Sequence, residues 1–289
     1  MQAQMRYRLD RLNQADIPSI LLLSQAMGWD YHEAELQTIF SSGIVYGHRA
    51  EEGQLVSSAA ILPYEGKVAS LGLVMVHPEH RRKGLGEAMT QRVIDALPDR
   101  SIPIMLIATD EGKSLYERMG FRTVETTHKF IAERYRVVEE PQVPSGYEVK
   151  AMTQEHISDV LALDAGAMGA RREAFLHARI KQAREGVVLV SQGAVVGYGL
   201  SILSLNNQLN IGSIVAPDSV GAIALIHSLA KDWQCSIRID VPSEKEDLCR
   251  HLSASGFEAV RIPPTMVMNA DRIPHRNGKL HAIAAQIFG

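Results

Sequence analysis

The chain has 289 residues, of which 46% are hydrophobic and 22% are charged, and its formal net charge is -3. Its length fits one large domain or two of ordinary size, and its apolar fraction excludes a disordered chain. The slightly acidic balance argues against a nucleic-acid-binding protein, and no apolar run approaches the roughly 20 residues that span a bilayer. Because the first residues also lack the apolar core of a signal peptide, we expect a cytoplasmic protein that binds neither nucleic acid nor a membrane.

Helical and strand-like patterns alternate along the first half. Asp16 and Pro18 suit the start of a helix, and Gly120 suits the end of one. The order predicts mixed α/β structure with a ligand site at the carboxyl end of a strand. The predicted elements are a helix over 17–27, strands over 54–62 and 68–76, a helix over 85–96, a strand over 102–108 and a helix over 111–119.

Four landmarks of the first half recur in the same order in the second half. They pair Tyr7 with Tyr147, Gly53 with Gly193, Pro78 with Pro217, and Gly120 with Gly256. Similarity of single pairs is common by chance, but four pairs in order indicate an internal repeat. The repeat predicts two copies of one domain, over 1–140 and 141–289, joined near the polar stretch EEPQVPSG at 139–146.

The segment over 74–93 points most directly to chemistry. A strand ends at Val76, and the run RRKGLG at 81–86 then begins a helix. Gly84 and Gly86 allow a backbone to approach a ligand closely, and the first amides of a helix have no intrahelical acceptor. The helix dipole and three adjacent cations favour an anion at this place, so the run predicts a diphosphate site. A solvated basic helix start is the alternative interpretation.

Two motifs in this region resemble those of the GNAT N-acetyltransferases. Arg81-x-x-Gly84-x-Gly86 is similar to their motif A, and SLYERMGF at 114–121 is similar to their motif B. The whole chain resembles the bacterial tandem GNAT proteins, in which the carboxyl-terminal half is a degenerate acetyltransferase-like domain. The resemblance implies an α/β (α+β) fold with two tandem domains, each a mixed, mostly antiparallel central sheet flanked by helices.

The resemblance also implies how acetyl-CoA would bind. Main-chain amides of 82–87 would hold the pyrophosphate, the backbone of 74–76 would pair with the pantetheine arm, and Ser114 would contact that arm. The implied cofactor-binding residues are Val74, Met75, Val76, Arg81, Arg82, Lys83, Gly84, Leu85, Gly86, Glu87 and Ser114.

Tyr116 and His77 are the candidate catalytic residues. The resemblance places Tyr116 beside the thioester sulfur. A thiol pKa of about 8.5 against about 10 for tyrosine makes full proton transfer uphill by about 2 kcal/mol, so Tyr116 need only donate a hydrogen bond. The alternative is that Tyr116 has only a structural role as an aromatic residue. His77 follows the strand and suits a general base, with an orientation toward solvent as its alternative. Other candidate bases are His48, His80, Asp110 and Glu111.

The second half lacks these features. After Pro217 the chain has DSVGAIAL without the three cations, and Leu252 stands at the position of Tyr116. We therefore expect this half to transfer no acyl group, and either to shape the acceptor pocket or to pair with another subunit in a homodimer. The candidate acceptor-binding residues are Trp29, Asp164, Arg172 and Asp240, with ordinary surface charge as the alternative for Arg172.

These patterns predict an acetyl-CoA-dependent N-acetyltransferase that acts on the amine of an unidentified small molecule by direct transfer in a ternary complex. A protein amine as acceptor, a non-catalytic acyl-CoA sensor and a partner-binding protein with a vestigial site are the alternatives. The two cysteines and the scattered histidines show no Cys/His pair, so we expect no metal ion. The tail HAIAAQIFG predicts a short helix or strand on the second domain.

Overall fold

The computed structural model describes residues 7–137, 146–204, 207–273 and 276–289. The predicted link over 139–146 lies outside these ranges except for Gly146. Within them, no helix combines the length and the apolar character that crossing a membrane requires.

The six predicted elements of the first half occur in the predicted order, together with further elements that the patterns did not predict. The predicted helices over 17–27, 85–96 and 111–119 are present, with ends that differ by one residue. The elements of this half are β1 (Arg8–Arg11), α1 (Ile17–Ala26), α2 (Glu33–Ser42), β2 (Ile44–Arg49), β3 (Leu55–Tyr64), β4 (Val68–Val76), α3 (Leu85–Asp95), β5 (Ile104–Ile107), α4 (Asp110–Arg118) and β6 (Arg122–Ala132).

The second half repeats this order of elements as far as its last helix. Its final strands have no single counterpart, because β6 is matched by two short strands. The elements are β7 (Tyr147–Ala151), α5 (Ile157–Met168), α6 (Glu173–Gln182), β8 (Glu185–Ser191), β9 (Ala194–Leu203), β10 (Leu209–Val215), α7 (Ser219–Ala230), β11 (Ile237–Pro242), α8 (Glu246–Ala254), β12 (Glu258–Arg261), β13 (Pro264–Met268) and β14 (Leu280–Ala282).

The strands form one continuous, mixed sheet that runs through both halves. Its order is β1-β2-β3-β4-β5-β13-β6-β11-β10-β9-β8-β7, with β12 beside β6 and β14 beside β10. Pairing is antiparallel except between β4 and β5 and between β10 and β11. The α/β fold with a mostly antiparallel sheet flanked by helices is therefore confirmed.

The two halves exchange strands. β13 of the second half lies between β5 and β6 of the first half, where Met266 pairs with Leu106 on one side. β6 in turn pairs with β11 and β12, so that Lys129 stands opposite both Asp240 and Arg261. Met266 is fully buried. Each half therefore completes the sheet of the other, and side chains of the second half reach the face of the first.

β4 and β5 pair over only part of their length. Their parallel pairing covers Ala69 and Ser70 of β4 and stops before a change of register in β4. Leu73 lies at this irregularity with a left-handed φ of 54°, and its carbonyl accepts a 2.8 Å hydrogen bond from the Ser58 hydroxyl. Because a bulge bends a strand and ends its pairing, the outer part of β4 parts from β5 and leaves a cleft.

The carboxyl-terminal tail enters this cleft. β14 pairs with β10 of the second half, as the tail prediction expects for a strand, but the following residues cross to the first half. A Cβ at Gly72 would lie 2.7 Å from the Ile287 side chain, so the tail packs directly on β4. The Ser70 hydroxyl donates to the Ile287 carbonyl at 2.7 Å, and the Tyr64 hydroxyl donates to the Phe288 carbonyl at 2.9 Å.

Candidate functional site

A cavity of about 880 Å³ lies where the two halves meet. The first half contributes the loop over 27–31, the outer part of β4, the turn before α3 and one face of α4. The second half contributes side chains of β10, β11 and β12, and the tail over 283–287. The predicted site residues that line it are Trp29, Val74, Val76, Arg81, Arg82, Gly84, Leu85, Gly86, Glu87, Ser114, Tyr116 and Asp240.

Unpaired main-chain amides line the turn before α3. Gly84 caps this helix in the left-handed region with φ 76°, and a Cβ there would meet open space, so conformation rather than packing favours glycine. The Ala88 amide donates to the Gly84 carbonyl at 3.0 Å, whereas the amides of 82–87 bind no acceptor within the part of the chain that the structure describes. Such a turn, at the positive end of a helix dipole, is suited to a phosphate.

Two of the three cations of this turn face the cavity. Arg81 and Arg82 line it and are exposed. Lys83 is directed elsewhere, because its Nζ donates to the Tyr7 hydroxyl at 3.0 Å. Lys83 therefore adds to the positive potential of the turn without lining the cavity.

The outer part of β4 presents a free backbone edge. Strand alternation directs Val74 and Val76 to the cavity and buries Met75 fully in the core, so Met75 offers only its backbone. On the side that faces β5, the described strands leave 74–76 without a partner. Ser114 of α4 also lines the cavity. An extended chain lying between the outer part of β4 and Ser114 could pair with β4 as a further strand.

Tyr116 is buried and still reaches the cavity. The Thr109 side chain caps α4 by accepting from the Gly112 amide at 3.2 Å, and the Tyr116 ring packs edge-on against Phe121. Burial raises the pKa of Tyr116 well above its usual value of 10. The phenol therefore stays protonated at neutral pH and can act as a hydrogen-bond donor.

The structure places two of the four predicted acceptor residues at the cavity. Trp29 lies on the loop between α1 and α2, with its ring 6.1 Å from that of Tyr31. Asp240 lies on β11, and its carboxylate accepts from Arg238 at 2.6 Å. Arg238 and Asp240 are two positions apart and share one face of the strand.

Asp164 and Arg172 do not line the cavity, which corrects their prediction as acceptor-binding residues. They form a fully buried ion pair, with Arg172 Nε and Nη2 at 2.8 and 2.9 Å from the Asp164 carboxylate. The Tyr198 hydroxyl also donates to Asp164, and Arg172 Nη1 donates to the Phe288 carbonyl at 2.9 Å. Their polar atoms are therefore engaged within the fold, where they hold the tail.

His77 is not among the residues that line the cavity, so the geometry gives no support to its predicted role as the catalytic base. Val76 at the end of β4 lines the cavity, and His77 follows it as the N-terminal cap of a short 3-10 helix. The His77 ring packs edge-on against His80, and its Nδ1 accepts from the Glu79 amide at 3.4 Å. Of the other candidate bases, Glu111 lines the cavity, and His48, His80 and Asp110 do not.

His77, Glu79 and His80 bring potential ligand atoms within 4.8 Å of one another, a grouping not predicted from the sequence. The spacing of His77 and His80, three positions apart, could have indicated it. His80 Nδ1 is engaged with the Tyr7 hydroxyl at 3.0 Å.

Several charged and polar residues of the cavity were not predicted. The pairing of Arg238 with Asp240 could have been inferred from their alternation on one strand. Most of the others come together only through the strand exchange and the position of the loop before α2. The unpredicted residues are Asp30, Tyr31, Glu35, Thr109, Arg118, Lys129, Ser204, Asn210, Arg238, Arg261 and Gln286.

Comparisons with known proteins agree with this architecture. Models of the acetyltransferase (GNAT) domain match residues 26–134 and 160–282. The chain is 32% identical over 283 residues to an uncharacterized N-acetyltransferase of Bacillus subtilis, YitH, covering 97% of this chain and 98% of that protein. A putative acetyltransferase from Pyrococcus horikoshii has a similar structure, with a TM-score of 0.79 at 17% identity over 98% of this chain and 96% of that one. A tandem GNAT protein from the clavulanic acid biosynthesis pathway has a TM-score of 0.66 at 14% identity over 91% and 98%.

Proposed function

The chain belongs to the GNAT acetyltransferase family and is an acyltransferase with two tandem GNAT domains, and on this premise we propose which reaction it catalyses. The acetyl group of acetyl-CoA is transferred directly to the amine of a small molecule within a ternary complex. The observation that carries the proposal is the set of unpaired amides over 82–87, which opens into the same cavity as Tyr116 and a charged wall.

The residues of the first half fit acetyl-CoA. The amides over 82–87 and the guanidinium groups of Arg81 and Arg82 suit the pyrophosphate, which carries two negative charges. The free edge of β4 over 74–76 suits the amides of the pantetheine arm, and Ser114 lies on α4 at the same cavity. The second half has neither the cations nor the tyrosine, so we assign cofactor binding to the first half alone.

Tyr116 supports the departure of the sulfur. Acetyl-CoA supplies a carbonyl that becomes negatively charged when an amine attacks, and a sulfur that leaves. A main-chain amide at the open edge of β4 can stabilise the negative oxygen. The buried phenol of Tyr116 remains protonated and donates a hydrogen bond to the sulfur.

The amine must lose a proton before or during its attack, because a primary ammonium has no lone pair to donate. His77 does not line the cavity, whereas Asp30 and Glu35 do. We assign to them the binding of the ammonium and the removal of its proton, directly or through water.

Calorimetric titration with acetyl-CoA tests the proposal at Gly84. Asparagine and aspartate both tolerate the left-handed backbone of this position, so Gly84→Asn and Gly84→Asp differ mainly in one charge. We expect Gly84→Asn to bind acetyl-CoA within a few-fold of the unchanged protein. Gly84→Asp should bind at least about tenfold more weakly, because its carboxylate repels the pyrophosphate.

Two results would contradict the proposal. The first is equal affinity of the two Gly84 variants, which would place the pyrophosphate elsewhere. The second is binding of acetyl-CoA without release of thiol in the presence of any amine, which would favour an acyl-CoA sensor.

A further inference from the structure

We propose that the acceptor is a small amine that also carries an anionic group, either a carboxylate or a phosphate. The cavity wall holds two carboxylates that form no ion pair among the described residues, Asp30 and Glu35. It also holds two cations without ion pairs in the described part of the chain, Lys129 and Arg261, on the neighbouring strands β6 and β12. This inference rests on the proposed function, since it names the class of amine that the same cavity takes.

The cations lie side by side on neighbouring strands. Lys129 of β6 is in register with Asp240 of β11 on one side and with Arg261 of β12 on the other. Neighbouring strands are about 4.8 Å apart, so these three positions form a short row across the sheet. Arg238 lies two positions before Asp240, on the same face.

Arg238 and Asp240 already form an ion pair with each other. Arg238 donates to both oxygens of Asp240, at 3.3 and 2.6 Å. Among the described residues, neither the Lys129 ammonium nor the Arg261 guanidinium forms a side-chain hydrogen bond or an ion pair. Burial, the largest cause, and the charge of Arg238 lower the pKa of Lys129, and the opposing charges of Asp240 and Asp30 do not reverse this. A bound anion would compensate the charge of this ammonium.

The two carboxylates, Asp30 and Glu35, belong to the first half. Asp30 lies on the loop after α1, and Glu35 lies in the first turn of α2. Within the described ranges, neither carboxylate accepts a hydrogen bond or forms an ion pair. Burial raises the pKa of Tyr31, and the charges of Glu35 and Asp30 and the phenol of Tyr116 raise it further. Asp30 and Glu35 line the same cavity as Tyr116, where the amine must bind.

Asn210 contributes a polar amide group to the cavity wall. Its Oδ1 is buried and has no hydrogen-bond partner among the described residues, although the residue lines the cavity. Asn210 is in register with Arg238 on the next strand. A buried amide oxygen without a partner costs stability, so an N–H group of a ligand is its natural complement.

These charges discriminate between classes of amine. A diamine or polyamine would bring a second positive charge toward Lys129 and Arg261. An amine without a second charge would leave the half-buried Lys129 unpaired. An amine with an anionic group pairs both walls at once, with its ammonium toward Asp30 and Glu35.

The experiment compares acceptors that differ only in the anionic group. The full chain is assayed for thiol release from acetyl-CoA with amino acids, with the amines that lack their carboxyl group, and with their carboxamides. Glucosamine 6-phosphate and glucosamine form the phosphate pair. We expect kcat/KM to be at least tenfold higher for the anionic member of one series, and the series with the larger ratio identifies carboxylate or phosphate.

Charge variants test whether this preference for anionic acceptors depends on Lys129 and Arg261. Lys129→Met should reduce the ratio at least tenfold, and Arg261→Gln should reduce it by a smaller factor because Arg261 is exposed. Lys150→Met is the matched control, since Lys150 is an exposed lysine of the second half that pairs with Glu148 outside the cavity. That control should leave the ratio unchanged.

Equal kcat/KM for the paired acceptors, a preference for diamines, or an unchanged ratio in Lys129→Met would each overturn the inference. Calorimetry separates this result from failure of the proposed function. Anionic amines that bind the CoA complex more tightly than their partners, without thiol release, would support the acceptor class and contradict catalysis. Anionic amines that bind no more tightly would overturn the acceptor class even if acetyl-CoA binds.

Discussion

At the scale of single residues, burial decides what Tyr116 can do. An exposed tyrosine titrates near pH 10, but desolvation of the anion raises the pKa of Tyr116 further. The phenol is thereby a permanent donor at neutral pH. Tyr116 lies on a helix capped by Thr109, and it lines the cavity.

Tyr116→Phe removes only the hydroxyl. We expect kcat for thiol release to fall about 100-fold, because general-acid groups of this kind contribute about that much, with acetyl-CoA affinity changed less than about twofold. Stopped-flow or steady-state thiol assays and calorimetry measure the two quantities. Tyr46→Phe is the control, since Tyr46 is a buried tyrosine of the same half that does not line the cavity. Equal kcat in both variants would remove Tyr116 from the reaction.

At the scale of elements, the carboxyl-terminal tail depends on charged groups buried beneath it. Arg172 donates to the Phe288 carbonyl, and Arg179 donates to the Ala284 carbonyl at 3.3 Å. The tail over 283–287 lines the cavity between β4 and the second half. The buried ion pair therefore supports one wall of the cavity without touching it.

Arg172→Met leaves Asp164 as a buried charge without its cation. We expect the free energy of unfolding in urea to fall by about 3 to 5 kcal/mol, the usual cost of breaking a buried pair from one side. The double variant Asp164→Asn/Arg172→Met should recover part of this loss, because it leaves no unpaired charge. A loss below about 1 kcal/mol in the single variant would show that the ion pair contributes little to stability.

At the scale of the whole molecule, the strand exchange makes the two halves one folding unit. β13 fills the gap between β5 and β6, and its central residues Met266 and Val267 are fully buried. One hydrophobic cluster contains Leu23 of α1 together with Phe175 and Phe288. Neither half alone can bury these surfaces.

A fragment over residues 1–145 should therefore not fold by itself. Without β13 it exposes the apolar side chains of β5 and β6, and we expect neither a cooperative urea transition nor a near-ultraviolet circular dichroism spectrum of the native type. Coexpression with a fragment over 146–289 should restore both. A cooperative transition of the isolated fragment would contradict an obligatory exchange.

Local patterns were sufficient for α1, α3 and α4 and for the turn before α3, but not for α2. Caps, glycines and apolar spacing act between residues a few positions apart, so the strand over Val68–Val76 and the start of α3 after Gly84 follow from nearby residues. The internal repeat likewise indicated two similar sets of elements before their arrangement was known.

Only the tertiary structure decided which distant residues share the cavity. Asp164 and Arg172 are polar enough to bind a ligand, yet burial pairs them with each other, whereas Lys129 and Arg261 become neighbours because β6 and β12 pair. Strand pairing between segments far apart in the chain is chosen by competition to bury apolar surface over the whole molecule. That competition is not encoded in the spacing of any short segment.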